Sequence, residues 1–142
     1  MFKSKGKKIV LVGGCFDVLH PGHIVFLQKA RQAGDKLIVL LESDEKIKKL
    51  KGSKRPVHTQ KEREVILKAL KMVDLVIPLP YLKEDLEYEV FIKKIKPDII
   101  AATLGSLDNH HKERIAKATG AKLKYVTKII GDYSTTNILT NR

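Results

Sequence analysis

The sequence predicts an α/β domain with a doubly wound, mostly parallel sheet of five strands and helices on both faces. Three observations lead there. Short aliphatic, β-branched runs alternate with longer amphipathic stretches along the chain, the pattern of βαβ units. No internal repeat, linker or low-complexity segment interrupts the 142 residues, so a single domain over 1–142 is expected. A chain of this size can bury roughly 70% of its unfolded surface, enough for a core without disulfide or metal staples.

The elements follow in order. Residues 8–13 (KIVLVG) read as a buried strand ending in glycine. Residues 21–33 read as a helix, with Ile24, Leu27 and Ala30 or Arg31 at helical spacing and Gly34 as the stop. A second strand covers 36–41 (KLIVLL), and Ser43 and Asp44 can cap a short helix over 45–50. Gly52 and Pro56 mark 51–58 as a loop. Thr59 and Glu62 fit a capping box that opens a helix over 60–72. The third strand, 75–77, is closed by Pro78 and Pro80. A helix over 86–95 turns Val90 and Ile95 inward, and the fourth strand covers 99–102. A helix over 111–118, a fifth strand over 122–126 and a short last helix over 135–140 complete the chain. Sheets of this type bind ligands beyond the carboxyl ends of their strands, so the loops there are the candidate functional segments.

Composition narrows the partners. Lys and Arg number 28 against 16 Asp and Glu, a net charge of +12 that favours anions: nucleotides, phosphorylated metabolites, nucleic acid or a membrane surface. A lysine-rich composition can equally reflect genome composition or a hot habitat. No RNP-like aromatic motif, zinc finger or helix-turn-helix accompanies the charge, so nucleic acid is not the expected partner. The single cysteine, Cys15, excludes an intramolecular disulfide and a CxxC zinc site, and a reducing cytoplasm is the expected compartment. No apolar run approaches the 18 or so residues of a membrane span, and the apolar 9–12 behind the Lys-rich start is too short for a signal peptide.

The loop after the first strand carries the chemistry: GGCFDVLHPGH, residues 13–23. Gly13 and Gly14 leave the strand without side chains, so a ligand can approach the backbone. Pro21 suits the first turn of a helix. His20 and His23 are three apart across that helix start and can face one side, with Gly22 between them leaving room for an anion. The helix start should add unsatisfied N–H groups and the positive end of its dipole. The result is a phosphate cradle with two imidazoles projecting into it. The competing structural explanation is that His20 only caps the helix and His23 lies on the surface. Zinc held by the pair would need a third ligand, and none is evident.

This run resembles the HxGH signature of the cytidylyltransferase-like nucleotidyltransferase superfamily. Residues 44–74, with LKGSKRPV, Arg63 and ALKMVD, resemble the bacterial heptose 1-phosphate adenylyltransferases, as does the STTNI-type segment at 133–138. Glycerol-3-phosphate cytidylyltransferases and archaeal FAD synthetases share the frame and are less similar. The resemblance implies a Rossmann-like fold and transfer of a nucleoside monophosphate from ATP or CTP to a phosphorylated small molecule, with release of pyrophosphate. It implies His20, His23 and Lys51 as catalytic residues. It assigns Gly13, Gly14, Cys15, Phe16, Asp17, Gly22, Arg63, Ser134, Thr135 and Thr136, with the two histidines, to the nucleotide. It also implies Mg²⁺ carried by the triphosphate rather than by protein ligands, and a homodimer, to which Tyr81, Leu82, Tyr88 and Phe91 could contribute if they are not core.

Local readings compete with several of these roles. The basic run Lys46, Lys48, Lys49, Lys51, Lys54 and Arg55 could be a solvated helix face. Arg63 could make a surface ion pair with a glutamate, Ser134 could be an ordinary cap, and Cys15 reads as a small packed residue. After the fourth strand the heptose-type family has Gly-Gly-Asp, whereas residues 101–111 read AATLGSLDNHH. The base and the acceptor are therefore open, and His110 and His111 read as exposed loop residues.

Overall fold

A computed structural model describes residues 6–129. Within it the elements run β1 (Ile9–Gly14), α1 (Pro21–Gln32), β2 (Lys36–Leu41), α2 (Asp44–Lys51), α3 (Gln60–Lys68), β3 (Leu75–Pro78), α4 (Asp85–Ile95), β4 (Ile99–Leu104), α5 (Asn109–Thr119) and β5 (Lys122–Lys128). The five strands form one sheet in the order β3-β2-β1-β4-β5, and every pairing is parallel. The order reverses at β1, which places the loop after β1 at the topological switch point.

Strand alternation builds two cores. Val10 and Val12 of β1, with Leu37, Val39 and Leu41 of β2, face Leu27 and Ala30 of α1 and Leu67 of α3. Ile9, Leu11, Ile38, Leu40 and Ile100 face the other way, onto Ile92 and Ile95 of α4 and Ile115 and Ala116 of α5. The strands read as continuous apolar runs because both faces of a parallel sheet are covered. Three aspartates pin the strand starts. Asp35, Asp74 and Asp98 accept from the N–H groups of Lys8, Leu37 and Ile9 at 2.8, 2.8 and 2.9 Å. Gly34 is required at the end of α1, because a Cβ there would lie 2.7 Å from Val10 Cγ2 and 2.9 Å from the Lys8 carbonyl.

Three expectations need correction. Val90 is 55% exposed, because the inward stripe of α4 runs through Tyr88, Phe91, Ile92 and Ile95. The helix expected to reach residue 72 ends at Lys68, where the Ala69 N–H turns to the Ile66 and Leu67 carbonyls. His110 and His111 are not in a loop: α5 begins at Asn109 and carries both in its first turn. Of the residues left open between interface and core, Leu82 is buried and Tyr88 and Phe91 are partly buried against the core. The segment expected to form a last helix, with Ser134, Thr135 and Thr136, lies outside the described residues.

Candidate active site at the end of the first strand

The chain leaves β1 through Gly14 into a tight turn. Phe16 has φ 45°, in the left-handed region that non-glycine residues seldom occupy. That turn folds its ring back onto Gly14, where a Cβ would lie 2.9 Å from the ring. A side chain at Gly14 would therefore displace the Phe16 ring.

His20 is the N-cap of α1, with an extended backbone. Its Nδ1 accepts from the Gly22 N–H at 3.0 Å, and His23 Nδ1 accepts from the His20 N–H at 3.3 Å. The two imidazoles thereby form a capping box, the arrangement usually made by a hydroxyl and a carboxylate. Their rings stack at 3.8 Å, and the Phe16 ring meets His23 edge-on at 5.5 Å. The Nδ1 hydrogen bonds fix the tautomer: each neutral ring carries its proton on Nε2 and is a donor there. Burial, the neighbouring His20 and Lys51 push His23 down to about 4, and burial with Lys51 also lowers His20. At neutral pH the pair is therefore two neutral donors of fixed orientation.

Capping by His20 and projection into an anion site are compatible, because capping uses Nδ1 and leaves the proton on Nε2. The expectation of unsatisfied first-turn N–H groups does not hold. Gly22 N–H goes to the His20 ring, and the N–H groups of His23 and Ile24 go to the His20 carbonyl at 2.9 and 3.3 Å. What α1 contributes is its dipole.

Asp17 ties down the loop before α3. It is 1% exposed and accepts from Arg55 Nε at 2.7 Å, from the Val57 N–H at 2.9 and 2.8 Å and from the His58 N–H at 2.9 Å. Burial pushes its carboxyl up, but the backbone donors of His58 and Val57 together with Arg55 outweigh that and hold it below the ordinary value. The loop between α2 and α3 is thereby tied to the histidine loop.

Arg63 does not meet the expectation for a phosphate ligand. Its side chain is fully buried and donates to the carbonyls of His58, Cys15 and Glu42 at 3.1, 2.8 and 2.9 Å and to Asp44 at 2.7 Å. Neither does it make a surface pair with a glutamate. It ties together the ends of β1 and β2 and the loop before α3, shaping the site from behind.

The basic run divides. Lys46 donates to the Leu82 carbonyl at 2.9 Å and lies over the Tyr81 and Tyr88 rings, and Arg55 is buried on Asp17. Lys48, Lys49, Lys51 and Lys54 are exposed. Lys51, the last residue of α2, is close enough to the histidine loop to act on His20, His23 and Cys15. Burial raises the Cys15 thiol, which keeps it protonated and unsuited to nucleophilic work. Among the described residues no group of three or more His, Cys, Asp or Glu is placed to hold a metal. Asp17, the carboxylate of the histidine loop, is engaged by three donors, Arg55 Nε and the N–H groups of Val57 and His58.

Behind this loop, on the α4–α5 face, lies a cavity of about 430 Å³ that reaches Gly13, Gly14 and Cys15. Its floor is aliphatic, with Leu11, Leu40 and Ile100 from the sheet, and Ile92 and Ile115 form a wall. Glu42, Lys46, Asp85, Tyr88, Asp108 and His111 stand around it. His111 Nδ1 and Arg114 Nη2 both reach Asp85 Oδ2, at 3.2 and 2.7 Å, and clasp α5 to the start of α4.

Residues 11–140 match the model of the family described as cytidylyltransferase-like. The chain belongs to the cytidylyltransferase-like family. It is 41% identical to the bifunctional protein HldE of Sulfurimonas denitrificans over 137 residues, which is 96% of this chain and 27% of that protein. Over 97 residues it is 48% identical to the bifunctional protein HldE of Nitratiruptor sp., covering 68% of this chain and 20% of that protein. The chain thus spans about a quarter of the length of the curated relatives it matches. Among solved structures it is similar to the lipopolysaccharide core biosynthesis protein of Thermoplasma volcanium, with TM-score 0.68, 27% identity, and coverage of 88% of this chain and 98% of that one. No described helix is long and apolar enough to cross a membrane.

In this cytidylyltransferase-like chain, sequence reasoning missed the Asp17–Arg55 tie and the Glu42–Tyr88 pair. Arg55 was visible only as the end of a charge run. Its partner lies 38 positions upstream, and no local spacing joins the two. Glu42 directly follows an apolar strand at the sheet's carboxyl edge, and that position is the one signal that could have singled it out.

Proposed function

We propose that the chain transfers a nucleoside monophosphate from ATP or CTP to a phosphorylated small molecule and releases pyrophosphate, most like a heptose 1-phosphate adenylyltransferase. The observation that carries this reading is the stacked His20–His23 pair, neutral and tautomerically fixed, at the switch point of the sheet. An oxygen of the acceptor phosphate attacks the α-phosphorus, the bond to the bridging oxygen of the β-phosphate breaks, and pyrophosphate carries that electron pair away. No covalent enzyme intermediate is needed, so the protein's work is alignment and charge stabilisation.

The Nε2–H groups of His20 and His23 donate to the phosphate oxygens that gain charge in the transition state. Since both rings are neutral, the cationic contribution comes from Lys51 at the end of α2. Gly13, Gly14, Cys15 and Phe16 form the backbone on which the triphosphate rests, with Gly22 between the imidazoles. Asp17 and Arg63 hold that surface in shape. Ser134, Thr135 and Thr136 remain assigned to the triphosphate by resemblance. Mg²⁺ carried in with the triphosphate would supply charge neutralisation there, while Asp17 is engaged by Arg55, Val57 and His58. The same frame would serve a glycerol-3-phosphate cytidylyltransferase or an FAD synthetase, which differ in base and acceptor. A homodimer, a single domain over 1–142 and a cytoplasmic location belong to this reading.

Calorimetric titration with each of the four nucleoside triphosphates and Mg²⁺ tests it. The reading expects saturable binding of ATP or CTP that weakens at least tenfold in Lys51→Ala. Absence of binding to every triphosphate would overturn it.

A further inference from the structure

One buried cation in the structure is only partly paired. Arg55 is 8% exposed, and Nε is the one nitrogen of its guanidinium with a hydrogen bond among the described residues, to Asp17 Oδ2 at 2.7 Å. Nη2 is fully enclosed and has no partner. Arginine carries five N–H donors, and buried donors are normally satisfied. Asp17 does not satisfy the rest, because its carboxylate is shared with the N–H groups of Val57 and His58. The charge is buried against one ion pair, with further donors left for another acceptor.

The place of Arg55 in the fold points to the chemistry of that acceptor. Asp17 lies three residues before His20, so the ion pair fastens the guanidinium to the loop that carries both imidazoles. The Arg55 N–H donates to the Gly52 carbonyl at 3.2 Å, which turns the chain back at the end of α2, where Lys51 acts on His20 and His23. The guanidinium is thereby held between the segment that bears the imidazoles and the segment that bears Lys51. Unused N–H donors on a planar cation suit a phosphate oxyanion. Charge balance asks for such a group. A phosphomonoester carries roughly −1.5 to −2 at neutral pH and has to approach a triphosphate that is itself anionic. Both imidazoles are neutral, Arg63 is committed to three carbonyls and Asp44, and Lys46 is committed to the Leu82 carbonyl. Arg55 keeps donors to spare.

We propose that Arg55, and not Arg63, is the arginine that binds phosphate in this site, donating from its Nη groups while Nε holds it to Asp17. This rests on the transferase reading and deepens it, since resemblance placed the phosphate role on Arg63. The phosphates of the triphosphate and the phosphate of the acceptor share this chemistry, and the experiment separates them. Asp17 then has a second task besides fastening the loop before α3: it aims the guanidinium. A water enclosed beside Nη2 is the competing occupant, and it would leave phosphate affinity independent of Arg55.

The test compares wild type with Arg55→Lys, whose ammonium keeps a cation beside Asp17 but lacks the Nη donors. Its fold is checked by its urea midpoint. Calorimetry reads the binding of Mg²⁺ with non-hydrolysable ATP and CTP analogues, and then of inorganic phosphate to the analogue-loaded protein. The proposal expects Arg55→Lys to weaken one of these by about tenfold or more, as a charge-assisted hydrogen bond is lost. Weaker analogue binding puts Arg55 on the triphosphate, and weaker phosphate binding alone puts it on the acceptor's phosphate. Side-chain nitrogen NMR of the wild type reads the same contact without a variant, and decides if Arg55→Lys does not fold. The Arg55 Nε and Nη signals should shift when the analogue or the phosphate is added. Signals unmoved through both additions, or both affinities within about twofold of wild type in a folded Arg55→Lys, would overturn the proposal. Analogue binding that ignores Arg55, with phosphate binding unchanged, overturns this proposal alone. A wild type that binds neither analogue overturns both readings.

Discussion

Asp17→Ala should cost more stability than any other single carboxylate removal in the described structure. The wild-type carboxylate is 1% exposed and satisfies Arg55 Nε and the N–H groups of Val57 and His58. Alanine leaves two backbone donors and a guanidinium that is itself 8% exposed without their acceptor. Breaking a buried pair on one side costs roughly 3–5 kcal/mol. Domains of this size are stable by about 5–15 kcal/mol, so the loss is a large share of the total. With a urea slope of about 2 kcal/mol/M, a 4 kcal/mol loss moves the midpoint down by about 2 M. Adding Arg55→Met removes the stranded charge and should recover part of the loss, so a double-mutant cycle in urea reads the coupling directly. The sign with pH is also fixed. A carboxyl held low in the folded state stabilises fully above its unfolded value, and that stability disappears as pH falls through the lowered folded value. Asp17→Ala should therefore flatten the acid limb of the stability profile. A loss below 1 kcal/mol, or an unchanged acid limb, would refute the reasoning.

Arg63→Lys should destabilise by about 3 kcal/mol in urea despite retaining the charge, because a lysine cannot span three carbonyls and Asp44 as the planar fork does. Thr59→Ala removes the N-cap of α3 and should cost about 1 kcal/mol, read by thermal melting. His23 should titrate near 4 by NMR in the nucleotide-free protein, against an ordinary value of 6.5. Between those values the unfolded chain binds a proton that the folded one refuses, so this histidine's contribution is full above about 6.5 and falls as pH drops toward 4.

The fold was legible because both sheet faces are covered, which makes each strand a continuous apolar run bounded by polar or breaker residues. Residues 36–41 and the helix start at 60 were read to the residue. Val90 misled because one valine in an amphipathic helix can fall on either side of a stripe, and here the stripe is set by Tyr88, Phe91, Ile92 and Ile95. The end of α3 carried no signal, since residues 69–72 are all helix formers and the stop comes from local turn hydrogen bonds. The histidine pair was visible as a motif, but its mutual capping was not, because that depends on backbone angles at His20. Arg63 looked exposed among the charged residues of QKEREVILK, and its burial depends on the Cys15 and Glu42 carbonyls from distant segments, with the nearby His58 carbonyl. Such long-range polar ties leave no periodicity to read.

The most direct test of the central claim is Mg²⁺-dependent pyrophosphate release, with each nucleoside triphosphate paired against heptose 1-phosphate, other sugar phosphates, glycerol 3-phosphate and FMN, in wild type and His23→Ala. The account predicts release with one pair in the wild type and its loss by two orders of magnitude or more in a folded His23→Ala, as roughly expected when a preorganised donor is removed. Near-normal turnover in folded His23→Ala, or no release from any pair by a folded wild type, would contradict it.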